Sequence, residues 1–310
     1  MRVFVAGATG AIGRPLVGQL HAAGHQVVGA TRSPERAAEL RGMGAEAIVC
    51  DALDADGLRQ AVAEARPEAV IHELTDLPAR LDPRRYQTQL AGTNRLRREG
   101  TRNLIGAFSA SGATRLIAQS IAFAYEPSGG WVKDEEARLD LGASEPIAAA
   151  VAAVADLETQ VLGAGGIVLR YGYFYGPRTA FSADGFYAEL VRRRRLPVIG
   201  SGTGMWSFVH VEDAAAATVA ALERGRPGVY NVTDDEPAQA REWIPVYAAA
   251  VGAKPPLRVP VWLGRLLGGT VAVAGMTAQR GASNAKAKRE LDWTPRHPSW
   301  RDGFRKLASA

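Results

Sequence analysis

The segment Gly7-Ala8-Thr9-Gly10-Ala11-Ile12-Gly13 constrains the fold of this chain more than any other. It follows a short β-branched run, Val3-Ala6, and leads into a pattern in which Ile12, Leu16 and Leu20 recur at helical spacing. Strand, glycine loop and helix in that order make a dinucleotide-binding fingerprint. Gly7 permits the tight turn, Gly10 lets backbone amides approach a pyrophosphate, and Gly13 lets the helix lie close to the sheet. The helix N-terminus adds unsatisfied N–H groups and the positive end of its dipole.

A loop of this kind needs a parallel sheet behind it, and the first half of the chain supplies one. Strands are predicted at Val3-Ala6, Val27-Ala30, Ala47-Cys50, Ala69-His72, Leu116-Ala118 and Ile167-Arg170, alternating with helical patterns. The alanine-rich stretch Ile147 to Leu162 reads as a helix, since alanine is the best helix former. The fold class is α/β: a Rossmann-type doubly wound parallel sheet, with its ligand outside the carboxyl ends of the strands. After Gly176-Pro177 the rhythm changes to short helices and Pro/Gly turns, with one more strand at Val229-Asn231. Residues 1–178 are therefore read as the cofactor-binding domain, to which about 207–232 return. Residues 179–310 are read mostly as a smaller, interleaved substrate lobe.

The end of the second strand reads cofactor preference. A carboxylate there suits a ribose 2′-hydroxyl and an arginine suits a 2′-phosphate. Here Ala30-Thr31-Arg32-Ser33-Pro34 has no acid until Glu35. Arg32 offers a planar fork for phosphate, Ser33 a hydroxyl donor, and Arg14 a second cation, so NADP(H) is the expected cofactor. The alternative for Arg32 is a solvated strand end.

Composition narrows the partners. One cysteine, Cys50, excludes an intrachain disulfide and a cysteine metal cage, and fits a reducing cytoplasm. No apolar run reaches the ~18 residues of a membrane span. The net charge of +5 favours anionic ligands, but the one dense basic run, Arg192 to Arg195, has no interleaved aromatics. It reads as a solvated helix end rather than a nucleic-acid patch. No histidine spacing points to a metal.

Several further motifs stand in order along the chain: Asp51 after the third strand, Val70-Ile71-His72, Gly100-Thr101-Arg102-Asn103-Leu104, Ser120, Leu169-Arg170-Tyr171 with Tyr175-Gly176-Pro177, Phe208 to Asp213, and Leu291-Asp292-Trp293-Thr294-Pro295. With the glycine loop they resemble the short-chain dehydrogenase/reductase superfamily, in its extended branch of nucleotide-sugar epimerases and dehydratases. The resemblance implies that Asp51 and Ala52 meet the adenine, that Leu74 and Thr75 line the ribose side, and that Tyr171, Gly172 and Tyr173 sit near the nicotinamide. It leaves His210 a packed, hydrogen-bonded residue and Asp213 an N-cap rather than an acid catalyst.

That family works through a tyrosine and a lysine four residues apart on a helix. The register set by Glu158 puts Ala150 and Val154 there, and none of the eight tyrosines has a lysine four residues later. The pattern matches atypical members, some with a different acid and some that bind cofactor without turnover. Replacement acids are sought in Tyr173 and Tyr125, with Ser120 as a hydroxyl donor. Against these stand packing roles for the tyrosines and a backbone-satisfying role for the serine. An apolar pocket is expected from Trp131, Phe181, Phe186, Trp206 and Phe208, for a small-molecule substrate.

The expected function is hydride transfer between NADP(H) and a carbonyl or alcohol carbon. A redox sensor without turnover and a non-redox isomerase or cyclase are the competing readings. A homodimer through the helices near Leu96-Phe108 and Ile147-Leu162 is the expected assembly.

Overall fold

A computed structural model describes residues 1–307. Seven parallel strands form one sheet: β1 (Arg2–Ala6), β2 (Gln26–Thr31), β3 (Glu46–Val49), β4 (Ala69–His72), β5 (Arg115–Ile121), β6 (Ile167–Tyr171) and β7 (Gly228–Val232). Their order is β7-β6-β5-β4-β1-β2-β3, so the chain reverses direction across the sheet between β1 and β4. A crevice at that switch point is where such sheets bind ligands. All six expected strands form, each within a few residues of its predicted span, and the Val229-Asn231 run joins the sheet beside β6.

Both faces are covered, which is why these strands carry near-continuous apolar runs rather than alternating ones. On one face lie α1 (Gly13–Ala22), α2 (Pro34–Gly42) and the later helix α6 (Val211–Arg224), around Val3, Val5, Leu16, Leu40 and Ala214. On the other lie α3 (Ala55–Ala65), α4 (Thr101–Ser111) and α5 (Ala148–Gly163), around Phe4, Val70, Leu104, Leu157 and Val161.

Local signals set the helix ends. The Ser33 hydroxyl caps α2, accepting from the Arg36 N–H at 3.3 Å, with Pro34 at the first helical position. Asp54 caps α3 in the same way. Gly112, at φ 78°, takes the left-handed conformation that ends α4. The cap of α6 differs from expectation. His210 holds that place, its Nδ1 accepting from the Glu212 N–H at 3.3 Å. Asp213 lies inside the first turn, fully buried, accepting from the backbone N–H groups of Arg296 and His297 and from the His297 ring. It ties the C-terminal segment to the sheet domain instead of starting a helix.

The smaller lobe has its own core, of Phe181, Phe208, Trp243, Tyr247, Trp300 and Phe304 among others. It is stitched to the sheet by a parallel pair, Tyr173–Tyr175 with Phe208–His210. The basic run closes the helix Phe186–Arg192, and Arg193 pairs with Glu189 at 3.1 Å. Among the described residues no helix is long and apolar enough to cross a membrane, and no cluster of three or more metal-ligand residues is found.

Candidate functional site

A cleft of about 380 Å³ opens at the switch point, lined by Gly7, Thr9, Gly10, Thr31, Arg32, Ser33, Arg36, Asp51, Ala52, Leu74, Thr75 and neighbours. Its floor depends on glycine at two places. Gly7 has φ 92°, and a Cβ there would lie 2.5 Å from the Glu73 carbonyl oxygen. At Gly13 a Cβ would lie 2.4 Å from the Gly7 carbonyl, so α1 can approach the loop only because the side chain is absent. A Cβ on Gly10 would meet only the Gly7 carbonyl, at 3.2 Å, which leaves the cleft side of the loop open. Among the described residues no side chain caps α1 and no acid stands in its first turn, so the N–H groups and dipole of that helix end keep their affinity for an anion. Ala11 is exposed and Ile12 is buried in the core; neither lines the cleft, and α1 begins at Gly13, one residue after the Ile12 that opens the helical pattern.

At the adenosine end Arg32 is more than half exposed and its guanidinium donates to Asp76 at 3.2 Å. Ser33 is less free than its sequence position implies, because its hydroxyl donates to Glu35 while it caps α2. Arg14 does not reach the cleft. Its Nε donates to the Thr9 carbonyl and its guanidinium pairs with Glu39. Arg36, one turn into α2, lines the cleft in its place. An arginine four residues after Arg32 is the signal that a strand-end reading passes over.

The three hydroxyls sought as acids are all engaged. Ser120 Oγ donates to Glu158 Oε1 at 2.6 Å, and the same carboxylate takes two bonds from Arg170, at 2.8 and 2.6 Å. Tyr125 donates to Asn231 Oδ1 and accepts from Arg170 at 3.1 Å. Ser120, Glu158, Arg170, Tyr125 and Asn231 thus form one buried network, in which burial pushes the Tyr125 phenol up. Tyr173 is clamped between Phe123 and Trp206, with ring centroids 4.1 Å away on each side, and its hydroxyl donates to Gln279 at 2.8 Å. Burial pushes it well above the ordinary phenol range, the wrong direction for a proton donor.

Tyr171 turns away from the cleft, into the layer beneath α1 and α6, where its hydroxyl meets Thr218 at 2.7 Å and donates to Glu73 at 3.2 Å. Gly172 serves packing: a Cβ there would lie 2.5 Å from the Ser207 carbonyl. Of the expected pocket aromatics, Phe181, Trp206 and Phe208 belong to the core of the smaller lobe. Phe186 is half-buried beside Tyr187, and Trp131 lies on the polar loop, covered by the Arg280 guanidinium at 4.1 Å. Aromatic periodicity alone cannot separate a pocket wall from a core. Ala150 and Val154 are buried on α5, so apolar packing fills the positions where the resemblance puts the acid pair.

The sequence pattern of the NAD dependent epimerase/dehydratase family matches residues 3–233. A Streptomyces protein named 3-diazoavenalumate denitrifying reductase is 48% identical over 308 residues, 98% of this chain and 99% of its own. The 2-alkyl-3-oxoalkanoate reductase of Stenotrophomonas maltophilia is 30% identical over 270 residues, covering 82% of this chain and 76% of its own. Among solved structures, the UDP-glucose 4-epimerase of Thermotoga maritima superposes with a TM-score of 0.78 at 20% identity, covering 100% of this chain and 98% of its own. A human epimerase family protein solved with NADPH gives 0.72, also at 20% identity, over 100% of this chain and 99% of its own. The glycine cradle, the seven-stranded parallel sheet and the motifs from the first strand to the seventh make this chain a member of the NAD-dependent epimerase/dehydratase family.

Proposed function

We propose that this protein is an NADP(H)-dependent reductase whose substrate carbon carries a diazo group, lost as dinitrogen. One observation carries the reading: the dinucleotide cradle is intact while Ser120, Tyr125 and Tyr173 are all tied up by other protein groups. Reduction of a ketone needs a hydride at carbon and a proton at the resulting alkoxide, which the family's tyrosine and lysine deliver. A diazonium carbon needs only the first: R–N₂⁺ + H⁻ gives R–H + N₂, and the leaving group takes no proton. Loss of the proton-transfer pair is then no loss to the chemistry. The 48% identity to a diazo-acting reductase across nearly the whole of both chains supports the same conclusion.

The bound reduced cofactor supplies hydride at the carboxyl edge of the sheet. The residues that would hold it are Gly7, Thr9, Gly10 and the start of α1 at the pyrophosphate, and Asp51 and Ala52 at the adenine. Arg32 and Arg36 would hold a 2′-phosphate: they are the two cations lining the cleft after β2, and Asp76 already orients the first.

The test is oxidation of NADPH by benzenediazonium and, separately, by acetophenone, each compared with the rate without protein. Oxidation with release of dinitrogen and transfer of deuterium from labelled NADPH into benzene supports the reading. Oxidation by acetophenone alone would make the protein a ketone reductase, as relatives near 30% identity are named. Tight NADPH binding with no oxidation by either would return the sensor.

A further inference from the structure

The large apolar side chains that stand exposed among the described residues are not evenly spread. Five of the twelve, Leu257, Val261, Trp262, Leu266 and Leu267, fall within one stretch of eleven residues in the smaller lobe. Trp262 is 69% exposed and Leu266 65%, so neither is a core residue caught at an edge. Apolar side chains scattered singly are ordinary on a protein surface, whereas a cluster marks a contact.

The cluster occupies the first half of helix α7 (Val261–Thr277) and the segment before it. The other face of the helix is anchored: Gly264 is buried, and a Cβ there would lie 2.4 Å from Ile199. Trp262, Arg265 and Leu266, at i, i+3 and i+4, are all exposed and share the outward face. That inverts the usual arrangement, in which a surface helix turns polar residues to water. The helix breaks at Gly269, whose φ of 73° lies in the left-handed region. Such a break frees carbonyls of the preceding turn, and the Arg84 guanidinium donates to that of Leu266. The turn Pro83–Arg85 is thereby held against the same exposed segment.

Charge selects the occupant. Residues 243–289 hold seven lysines and arginines and no aspartate or glutamate. Three of the seven, Lys254, Arg258 and Arg265, are exposed within or just before the cluster and pair with no acid among the described residues. Arg84 and Arg85, also exposed, add two more. The strand Arg258–Val259 pairs with Val198–Ile199, which joins this segment to the end of the exposed run Arg192 to Arg195. Acids of the adjoining elements are engaged. Glu189 pairs with Arg80 at 2.8 Å and with Arg193 at 3.1 Å, and Asp82 caps the turn Pro83–Arg85.

A second copy docked here about a two-fold axis would set the same excess of cations against these, so the partner is anionic. A stable protein interface takes about 20–30 residues on each side, more than two helical turns and their approach offer. A bilayer needs no complementary shape. Tryptophan and leucine enter its headgroup boundary while the stems of arginine side chains snorkel to the phosphates. Nor does lying on a bilayer need a spanning helix, and the described residues contain none.

We propose that Leu257–Leu267, with Arg84 and Arg85, seats this protein on the surface of an anionic phospholipid bilayer. Trp262 and Leu266 enter the boundary between headgroups and acyl chains, and Arg258 and Arg265 meet the phosphates. The inference goes beyond the reductase reading and does not depend on it.

Co-sedimentation of the whole protein tests this with vesicles of phosphatidylcholine alone and of phosphatidylcholine and phosphatidylglycerol in equal parts. Binding to the mixed vesicles is expected at about 0.1 M salt, and at least about tenfold weaker binding at about 1 M, where charges are screened within about 3 Å. Vesicles of phosphatidylcholine alone should also bind at least about tenfold more weakly. Trp262→Ser with Leu266→Ser should lose at least about tenfold on the mixed vesicles, through lost apolar burial. Arg258→Gln with Arg265→Gln should lose about fivefold for each charge removed. Leu141→Ser, at a leucine 68% exposed outside the cluster, should bind as the wild type does.

No sedimentation with mixed vesicles, equal binding to neutral ones, or wild-type binding by the serine pair would overturn the proposal. So would an equal loss in Leu141→Ser, which would make the adhesion general. Self-association without vesicles that the serine pair abolishes would assign the face to a second copy and overturn it as well. If the serine pair does not fold, the glutamine pair and the comparison of the two lipids carry the decision. Turnover is not read, so inert benzenediazonium would overturn the function and leave this result standing.

Discussion

The Tyr171 hydroxyl donates to Glu73 at 3.2 Å directly behind the glycine loop, and the second carboxyl oxygen of Glu73 is buried with no partner. Burial dominates over that bond and pushes the carboxyl up to about 8, so the folded protein holds it protonated at neutral pH. The unfolded chain releases that proton in the ordinary carboxylate range, near 4.5. The contribution of Glu73 to stability is therefore intact below about pH 4.5 and is lost progressively as pH rises toward 8. Glu73→Gln removes this term. The variant is expected to gain on the wild type with rising pH across that window, at up to roughly 1.4 kcal/mol per pH unit. Denaturant unfolding of both proteins at a series of pH values measures the difference, and a constant offset would mean that Glu73 is already ionised.

The bidentate Arg170–Glu158 pair gives a second expectation. Glu158→Gln leaves a guanidinium uncompensated in the interior, and the loss should be about 3–5 kcal/mol. Ser120→Ala removes one bond to a charged acceptor and should cost about 1.5–3 kcal/mol. Urea midpoints read both. A Ser120→Ala variant of full stability but no activity would restore the serine as a reacting group.

Cofactor preference is tested at Arg32 and Arg36. Arg32→Ala with Arg36→Ala should weaken NADPH binding by about 10- to 100-fold, the value of one or two charge-assisted bonds, and leave NADH binding nearly unchanged. Fluorescence titration with each cofactor measures it. Equal losses for both would place these arginines elsewhere than the 2′-phosphate.

Tyr173 separates the proton-free reaction from a conventional one. Tyr173→Phe keeps the ring between Phe123 and Trp206 and leaves Gln279 without its donor. If no side-chain acid is used, single-turnover hydride transfer to a diazonium should change by less than about threefold, well under the 10²–10⁴ attributed to general acid catalysis. A collapse of the rate would make Tyr173 the acid after all.

Gly7 tests the cradle. Gly7→Ala forces a Cβ against the Glu73 carbonyl at a φ of 92°, where an L side chain is strained. NADPH affinity should fall by more than about tenfold with at least 1 kcal/mol of stability. Calorimetry and thermal unfolding read the two losses separately.

How much was legible in the sequence depended on the range of the interaction. The strands and the glycine loop follow from patterns within a few residues, because strand burial and backbone turns are decided locally. Asp213 and Arg14 went elsewhere because their partners, the 296–297 backbone and Glu39, lie in distant or neighbouring elements that no motif includes. Phe181, Trp206 and Phe208 look the same in sequence whether they line a pocket or fill a core. Arg97 lies three residues before the Gly100 to Leu104 motif, and no local pattern marks it as unpaired.

By itself the sequence determined the parallel sheet, the dinucleotide cradle and the absence of a tyrosine–lysine pair, since each is a matter of residue type at short spacing. The tertiary structure alone decided the rest. It placed three hydroxyls in bonds to Glu158, Asn231 and Gln279, and it left a guanidinium at Arg97 without a counter-ion. Charge and hydrogen-bond balance is summed over everything within a few ångströms, and only the folded chain defines that neighbourhood.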